Sequence, residues 1–255
     1  MKKKIKNLVF AITIFALTLA LTPNFTIAAD LSSANSSLET TNFSRAQLLQ
    51  IVENDSLIEA YINETYKPIF SADLDSNGSL RAIVSKTLTM SVVKQENSYY
   101  CGPASCVMSA ATLGLGTYSQ STMAAKIGCT TSGSSSDGIT SGMNKLLSEK
   151  SKAGRYEKTN VSISGLPGSI LYSVDKNFPV IVNVKVMPNY TVGVGHFIAA
   201  KGYSLYYDVA VQVYTIYFND PHPTYYGSYS IDGGVLTTAC KSNAGNFVRL
   251  NPSTL

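Results

Sequence analysis

Histidine is nearly absent from this chain: 255 residues carry two, His196 and His222. Four cysteines, Cys101, Cys106, Cys129 and Cys240, include no Cys-x-x-Cys pair, and with two histidines they offer no spacing for a structural zinc site. Basic runs are missing after the first six residues and no basic helix face can be drawn, so nothing argues for nucleic acid or anionic lipid as a partner. There is no internal repeat and no phosphate-binding P-loop motif. Long apolar runs are missing too. The longest, Leu8 to Leu21, has 14 residues, against the roughly 20 that cross a bilayer.

That run follows Met-Lys-Lys-Lys-Ile-Lys and precedes Thr-Ile-Ala-Ala, the basic, apolar and small-residue order of a secretory signal peptide over residues 1–29. Cleavage after Ala28 or Ala29 is expected, with an uncleaved anchor as the alternative. The mature chain is then secreted or extracellular, free or associated with the cell surface, and has no membrane partner. Removing residues 1–29 takes away four lysines and no acids, so 20 − 4 = 16 bases face 16 acids and the net charge is zero.

About 225 residues remain, enough for one full core. Charge is unevenly shared: residues 30–90 carry 8 acids and 4 bases, net −4, and residues 91–255 carry 8 acids and 12 bases, net +4. The shift suggests an acidic N-terminal segment over 30–85, helical or a propeptide, before a main domain over 86–255. Residues 30–43 are rich in Ser, Thr and Asn, a disordered composition. Ser44 then suits a helix cap, with Leu48, Ile51, Val52, Leu57, Ile58 and Ile62 at helical spacing up to Pro68. "DLDSNG" at 73–78 opens like a calcium loop, but Val84 stands where a bidentate glutamate is required, so an Asx-rich turn is the better reading.

Beyond residue 86 the pattern predicts a strand over "TLTMSVV", a helix over "GPASCVMSAATLG", a second over "SQSTMAAKIG", and a third that Asp137 begins and that carries Ile139, Met143, Leu146 and Leu147. A fourth helix follows Pro167. Strands are expected over 179–186, 196–205, 211–220, near "YGSYSI" and over 246–250. Helices first and strands later make an α+β fold, helices packed on a mostly antiparallel sheet.

Chemistry gathers at "KQENSYYCGPAS". A thiol at a helix N-terminus beside a histidine has a lowered pKa and becomes a nucleophile. Cys101 has the helix: Gly102 allows the turn and Pro103 suits the first turn. Alone, it reads equally as a buried structural thiol. His196, at the mouth of a strand in "VGVGHFIAAKGY", is the candidate base, while His222 in "NDPHP" reads as a loop residue. If 196–205 and 211–220 form a hairpin, His196 and Asp220 share one sheet edge, and Asp220 can orient the imidazole. An Asp-Pro turn starter is the plainer reading of Asp220, and Asn219 is the alternative orienter, which alternation turns to the other face. Gln95 offers an amide N–H that, with the backbone N–H of Cys101, could hold an oxyanion; alone it is a polar residue at a strand end. Cys106 reads as a small buried apolar residue, and Cys129 with Cys240 is the preferred disulfide. Tyr99 and Tyr100 line the cleft or cover the helix, and the 131–138 loop rims the cleft or simply connects.

"QENSYYCGPAS", "GHFIAAKGY" and "YFNDP", in that order and spacing, closely resemble the papain-like cysteine peptidases over roughly residues 86–252. The nearest resemblance is to the branch of bacteriocin-processing leader peptidases and their free-standing secreted relatives. It implies a papain-like fold with Cys101 as nucleophile, His196 as base and acid, Asp220 as orienter and Gln95 as oxyanion donor. It implies hydrolysis of peptide or protein substrates through a thioester, without metal or organic cofactor. The membrane segments and ATPase fused to leader peptidases have no counterpart here, so double-glycine leader cleavage is not implied. An amidase or acyl transferase on cell-wall peptides would use the same triad, and a non-catalytic binding module would share the scaffold. The acidic segment 30–85 is read as a propeptide whose helix covers the cleft, or as a spacer from the cell surface.

Overall fold

Alternation of apolar residues writes the centre of the molecule. In the computed structural model, which describes residues 45–72, 82–162, 164–208 and 211–255, Val180, Val182 and Val184 share one side of a strand with no exposed surface, and Ile181 faces the other way. That strand, β3 (Val180–Met187), lies inside a seven-stranded sheet of order β2-β7-β3-β4-β5-β6, with β1 also paired to β4. The remaining strands are β1 (Ala82–Thr87), β2 (Tyr156–Asn160), β4 (Tyr190–Asp208), β5 (Val211–Asp220), β6 (Gly227–Asp232) and β7 (Asn246–Leu250), and every pairing is antiparallel.

Both sheet faces are covered by helices. Helices α2 (Cys101–Thr112), α3 (Gln120–Ile127) and α4 (Ser136–Glu149) pack with Ile181, Phe197 and Val248, while α5 (Leu166–Asp175) and α6 (Gly233–Lys241) pack with Val182, Ile198 and Phe247. This is the expected α+β architecture. The Ser119 side chain caps α3 and Gly128, in the left-handed conformation, ends it. Ser135, not Asp137, caps α4, and Ile139, Met143, Leu146 and Leu147 on it are all fully buried.

Several expectations are revised. "TLTMSVV" is not a strand; β1 ends where it begins, and residues 88–94 cross the molecule with their backbone held by side chains. Asn219 donates to the Met90 carbonyl at 3.1 Å and Gln120 to the Lys94 carbonyl at 2.7 Å. Strand β4 begins at Tyr190, six residues before His196, and only residues 209–210 separate it from β5 where about five were expected. Strand β2 and helix α6 were not foreseen: "YEKTN" is polar, and "GGVLTTACK" opens on two glycines and is started by the Asp232 cap.

The first helix, α1 (Arg45–Ala72), runs past the proline expected to end it. A compact unit spans Leu49–Leu255, and the expected boundary at residue 86 falls inside β1, which pairs with β4 from Ala82↔Tyr207 to Thr87↔Gly202. Within that unit, α1 is tied down by Asn54 to Glu157 at 2.6 Å, by Asp55 to Arg249 at 2.5 Å, and by Tyr61 and Tyr66 to Asp175. These contacts lie on β2, β7 and α5, and Ile58 of α1 joins the apolar cluster that also holds Cys101. The signal peptide, the Ser/Thr/Asn-rich stretch and the "DLDSNG" turn lie outside the described residues.

All four cysteines are free. The preferred Cys129–Cys240 disulfide does not form, because the sheet separates the two: Cys240 packs with α5 and α6 on one face, and Cys129 against the α2–α4 cluster on the other. Alkylation of the denatured, unreduced protein is therefore expected to add four carbamidomethyl groups by mass. Two would signal a disulfide and a different packing of one of these faces.

Candidate active site

Helix α2 starts at Cys101 itself. Tyr100, before it, provides no side-chain cap, so first-turn N–H groups remain for other acceptors. Gly102 is required sterically: a Cβ there would stand 2.4 Å from Ser134 Oγ, which shows the Ser/Gly loop pressed against the residue after the cysteine. One turn later the Ser105 hydroxyl donates to the Phe197 carbonyl at 3.0 Å, tying α2 to β4 beside His196. Gly195 marks a second close approach, since a Cβ on it would meet Asn243 Nδ2 at 1.9 Å.

These constraints bring three of the expected residues into one buried chain of hydrogen bonds. Cys101 bonds to His196, and His196 Nε2 lies 2.8 Å from Asp220 Oδ1, which leaves Nδ1 to face the thiol. Exposure is 6%, 3% and 1% for Cys101, His196 and Asp220, so water competes with none of these bonds. In the β4–β5 register Ala199 opposes Asn219, with an irregularity between Ala200 and Gly202. His196 and Asp220 are thus diagonal neighbours near one sheet edge, within reach of a side-chain contact. Asn219 points elsewhere, accepting from Ser228 and donating to Met90.

Burial alone would push the Cys101 thiol up. The hydrogen bond and charge of His196, with the backbone N–H groups of Phe197 and Gly102, outweigh it and bring the thiol below its ordinary value. For His196 burial pulls down, but Asp220 and the cysteine raise it to about 9. The two shifts act in the same sense, each favouring the thiolate–imidazolium form of the pair. Cys106, one turn along α2, is fully buried and pushed well up by that burial, an inert thiol.

Gln95 is buried beside the group. Its backbone N–H donates to the Pro221 carbonyl at 2.9 Å, and its side-chain Nε2 donates to the Asn97 carbonyl at 2.6 Å. One amide N–H is therefore committed to the chain, and Oε1 is buried without a partner.

Two neighbours went unrecognised in the sequence. Tyr190 donates its hydroxyl to Asp220 Oδ2. His222, read as a loop residue, has its ring 5.6 Å from that of His196. Its Nδ1 accepts from the backbone N–H of Thr224 and Tyr225 at 3.1 and 3.2 Å, so its proton sits on Nε2, and burial and the His196 charge lower its pKa. Nothing in "MPNY" or "NDPHP" announces either role. Among the described residues no group of three or more His, Cys, Asp or Glu side chains could hold a metal ion.

A family model described as the Peptidase_C39 like family matches residues 87–238, more than half of the chain. The chain belongs to the Peptidase_C39 like family. The matched segment contains Cys101, His196 and Asp220 as well as Gln95. Two solved structures are similar at low identity. One is the peptidase domain of Streptococcus ComA, a bi-functional ABC transporter involved in a quorum sensing pathway, with 18% identity and a TM-score of 0.42, covering 64% of this chain and 99% of that one. The other is a double glycine motif protease from an AMS/PCAT transporter in complex with its leader peptide, with 17% identity and a TM-score of 0.41, covering 65% of this chain and 94% of that one. No curated protein matches the chain. Members of a peptidase family act on peptide bonds, which gives the buried thiol and imidazole a chemical context.

Proposed function

We propose that the chain is a secreted cysteine peptidase that hydrolyses peptide bonds through Cys101, His196 and Asp220. The observation that carries this reading is the buried bond chain from thiol to imidazole to carboxylate at the start of α2. The Cys101 thiolate attacks the substrate carbonyl. Its backbone N–H and the second N–H of Gln95 receive the charge that develops on oxygen. His196 then gives its proton to the departing amine, leaving a thioester, and takes one from the water that hydrolyses it. Asp220 holds the imidazole in the tautomer that does both. Each step is complete with these side chains and water. The basic and apolar N-terminal sequence supports export, and family membership supports a peptide as substrate.

Alkylation of the purified protein by iodoacetamide across pH 5–10, with Cys101→Ala as control, tests the reading. Rapid single-site labelling well below pH 8, absent in the control, is expected, followed by turnover of peptide libraries. Labelling no faster than a free thiol would sink the peptidase assignment and favour a binding module on the same scaffold.

A further inference from the structure

Asp220 is held at both carboxylate oxygens. Oδ1 accepts from His196 Nε2 and from the backbone N–H of His222, each at 2.8 Å, and Oδ2 accepts from the Tyr190 hydroxyl. The Tyr190 ring stands edge-on to His196, centroids 5.9 Å apart at 83°, and stacks on Tyr225 at 5.3 Å and 3°. One side chain therefore touches the carboxylate with its hydroxyl and the imidazole with its ring. We infer that Tyr190 is a positioning residue of the triad: its hydroxyl fixes the carboxylate and moderates its pull on the imidazole proton, and its ring, backed by Tyr225, keeps water off the His196–Asp220 bond. The inference rests on the peptidase reading above.

The physical case is one of graded charge. A buried carboxylate with a free oxygen can rotate, and it concentrates its charge on the one bond it makes. A neutral phenol donor stops the rotation and takes up part of that charge without cancelling it. A cation in the same place would cancel it and leave His196 without a counter-charge. Burial and the Asp220 charge push the Tyr190 hydroxyl far up, so it stays protonated and donating throughout the working range. The titratable groups around His196 are then Cys101 from α2, Tyr190 from β4, and Asp220 and His222 at the end of β5. Tyr190 and His222 are the uncharged members of this group, and Tyr190 is the one whose side chain bonds the carboxylate.

With two histidines in the chain, an NMR titration of the imidazole signals resolves His196 directly, the His196→Ala variant supplying the assignment. In Tyr190→Phe the ring and its stacking remain and the hydroxyl is gone. The carboxylate, now shared only with the His222 backbone N–H, should hold the imidazolium proton more tightly. The His196 transition then moves up by about half a pH unit, and kcat falls about two- to threefold with KM unchanged, because a weaker acid serves the leaving amine. In Tyr190→Ala water also enters, screening the pair while relieving the burial that pulls His196 down, so this variant is read by solvent exchange of the His196 Nε2–H rather than by the sign of a titration shift. An upward titration shift with lower kcat in the Phe variant and faster Nε2–H exchange in the Ala variant establish the role. A Phe variant with the wild-type titration and kcat, or an Ala variant with the wild-type exchange rate, overturns it, since either would make Tyr190 a packing residue. If wild-type Cys101 alkylates like a free thiol, the peptidase reading itself fails, a result distinct from an active wild type with an indifferent Phe variant.

Discussion

Alanine at His196 is expected to lower peptide hydrolysis by about 10⁴-fold and to move the alkylation profile of Cys101 to high pH. Cys101 sits at the balance of two opposed effects. Burial raises its pKa, and the hydrogen bond and charge of His196, assisted by the N–H groups of Phe197 and Gly102, lower it by more. Without the imidazole, burial meets only the two backbone donors, and the thiol should rise above its ordinary value. Alkylation by iodoacetamide would then climb only in the alkaline range, whereas the wild type is expected to react below pH 8. The same substitution removes the acid that protonates the leaving amine, so hydrolysis falls further than thiolate content alone predicts. Measuring both separates the contributions. An alkylation profile unmoved by the substitution would show that the helix start, and not His196, activates the thiol.

The raised His196 also has a sign in stability. Its folded value of about 9 lies above the ordinary 6.5, so the stability that protonation of His196 contributes is fully present below pH 6.5 and is lost as pH rises through about 9. That contribution to fold stability and peptide hydrolysis are thus expected to decline together on the alkaline side.

How much of this could be read in the sequence depends on whether the deciding contact is local. Cys101 is legible because its surroundings, Gly-Pro after it and a small-residue helix beyond, follow in the chain. His196 and Asp220 are legible because a hairpin can be drawn between them, although the turn is shorter than expected and the register is irregular near Lys201. Tyr190 was not, because glycines 193 and 195 weaken the strand signal that would have carried β4 back to it; the structure shows Gly195 serving Asn243's close approach instead. The Cys129–Cys240 pairing failed because sequence spacing does not say which face of a sheet a cysteine covers. Nor does it reveal the nature of the 45–72 segment. Charge made it look separate from the main domain, whereas one of its acids, Asp55, meets a base 194 residues away.

That base is Arg249, and its replacement by alanine is expected to cost about 3–5 kcal/mol of stability, a fall of about 10 °C or more in Tm. "NFVRL" reads as an ordinary strand, yet the arginine is fully buried. Its Nε donates to Glu157 Oε1 at 2.8 Å, and Nη1 to Asp55 on α1 at 2.5 Å and to Ser164 and Ser169 at 2.5 and 2.7 Å. Asp55 and Glu157 lie 194 and 92 residues away in the chain, so the cluster can form only when α1, β2, α5 and β7 are all in place. Removing the cation strands two carboxylates. Burial already pushes Glu157 above its ordinary value, with Arg249 opposing; without Arg249 the push is larger. An acid whose folded pKa is raised loses stability as pH rises through that value, so the deficit of the variant should be small near pH 4.5 and grow toward pH 8. Urea unfolding of wild type and Arg249→Ala at the two pH values measures it. A deficit independent of pH would mean that lost packing, and not stranded charge, accounts for the loss. A deficit near zero would mean that the buried cluster around Arg249 contributes nothing net to the fold.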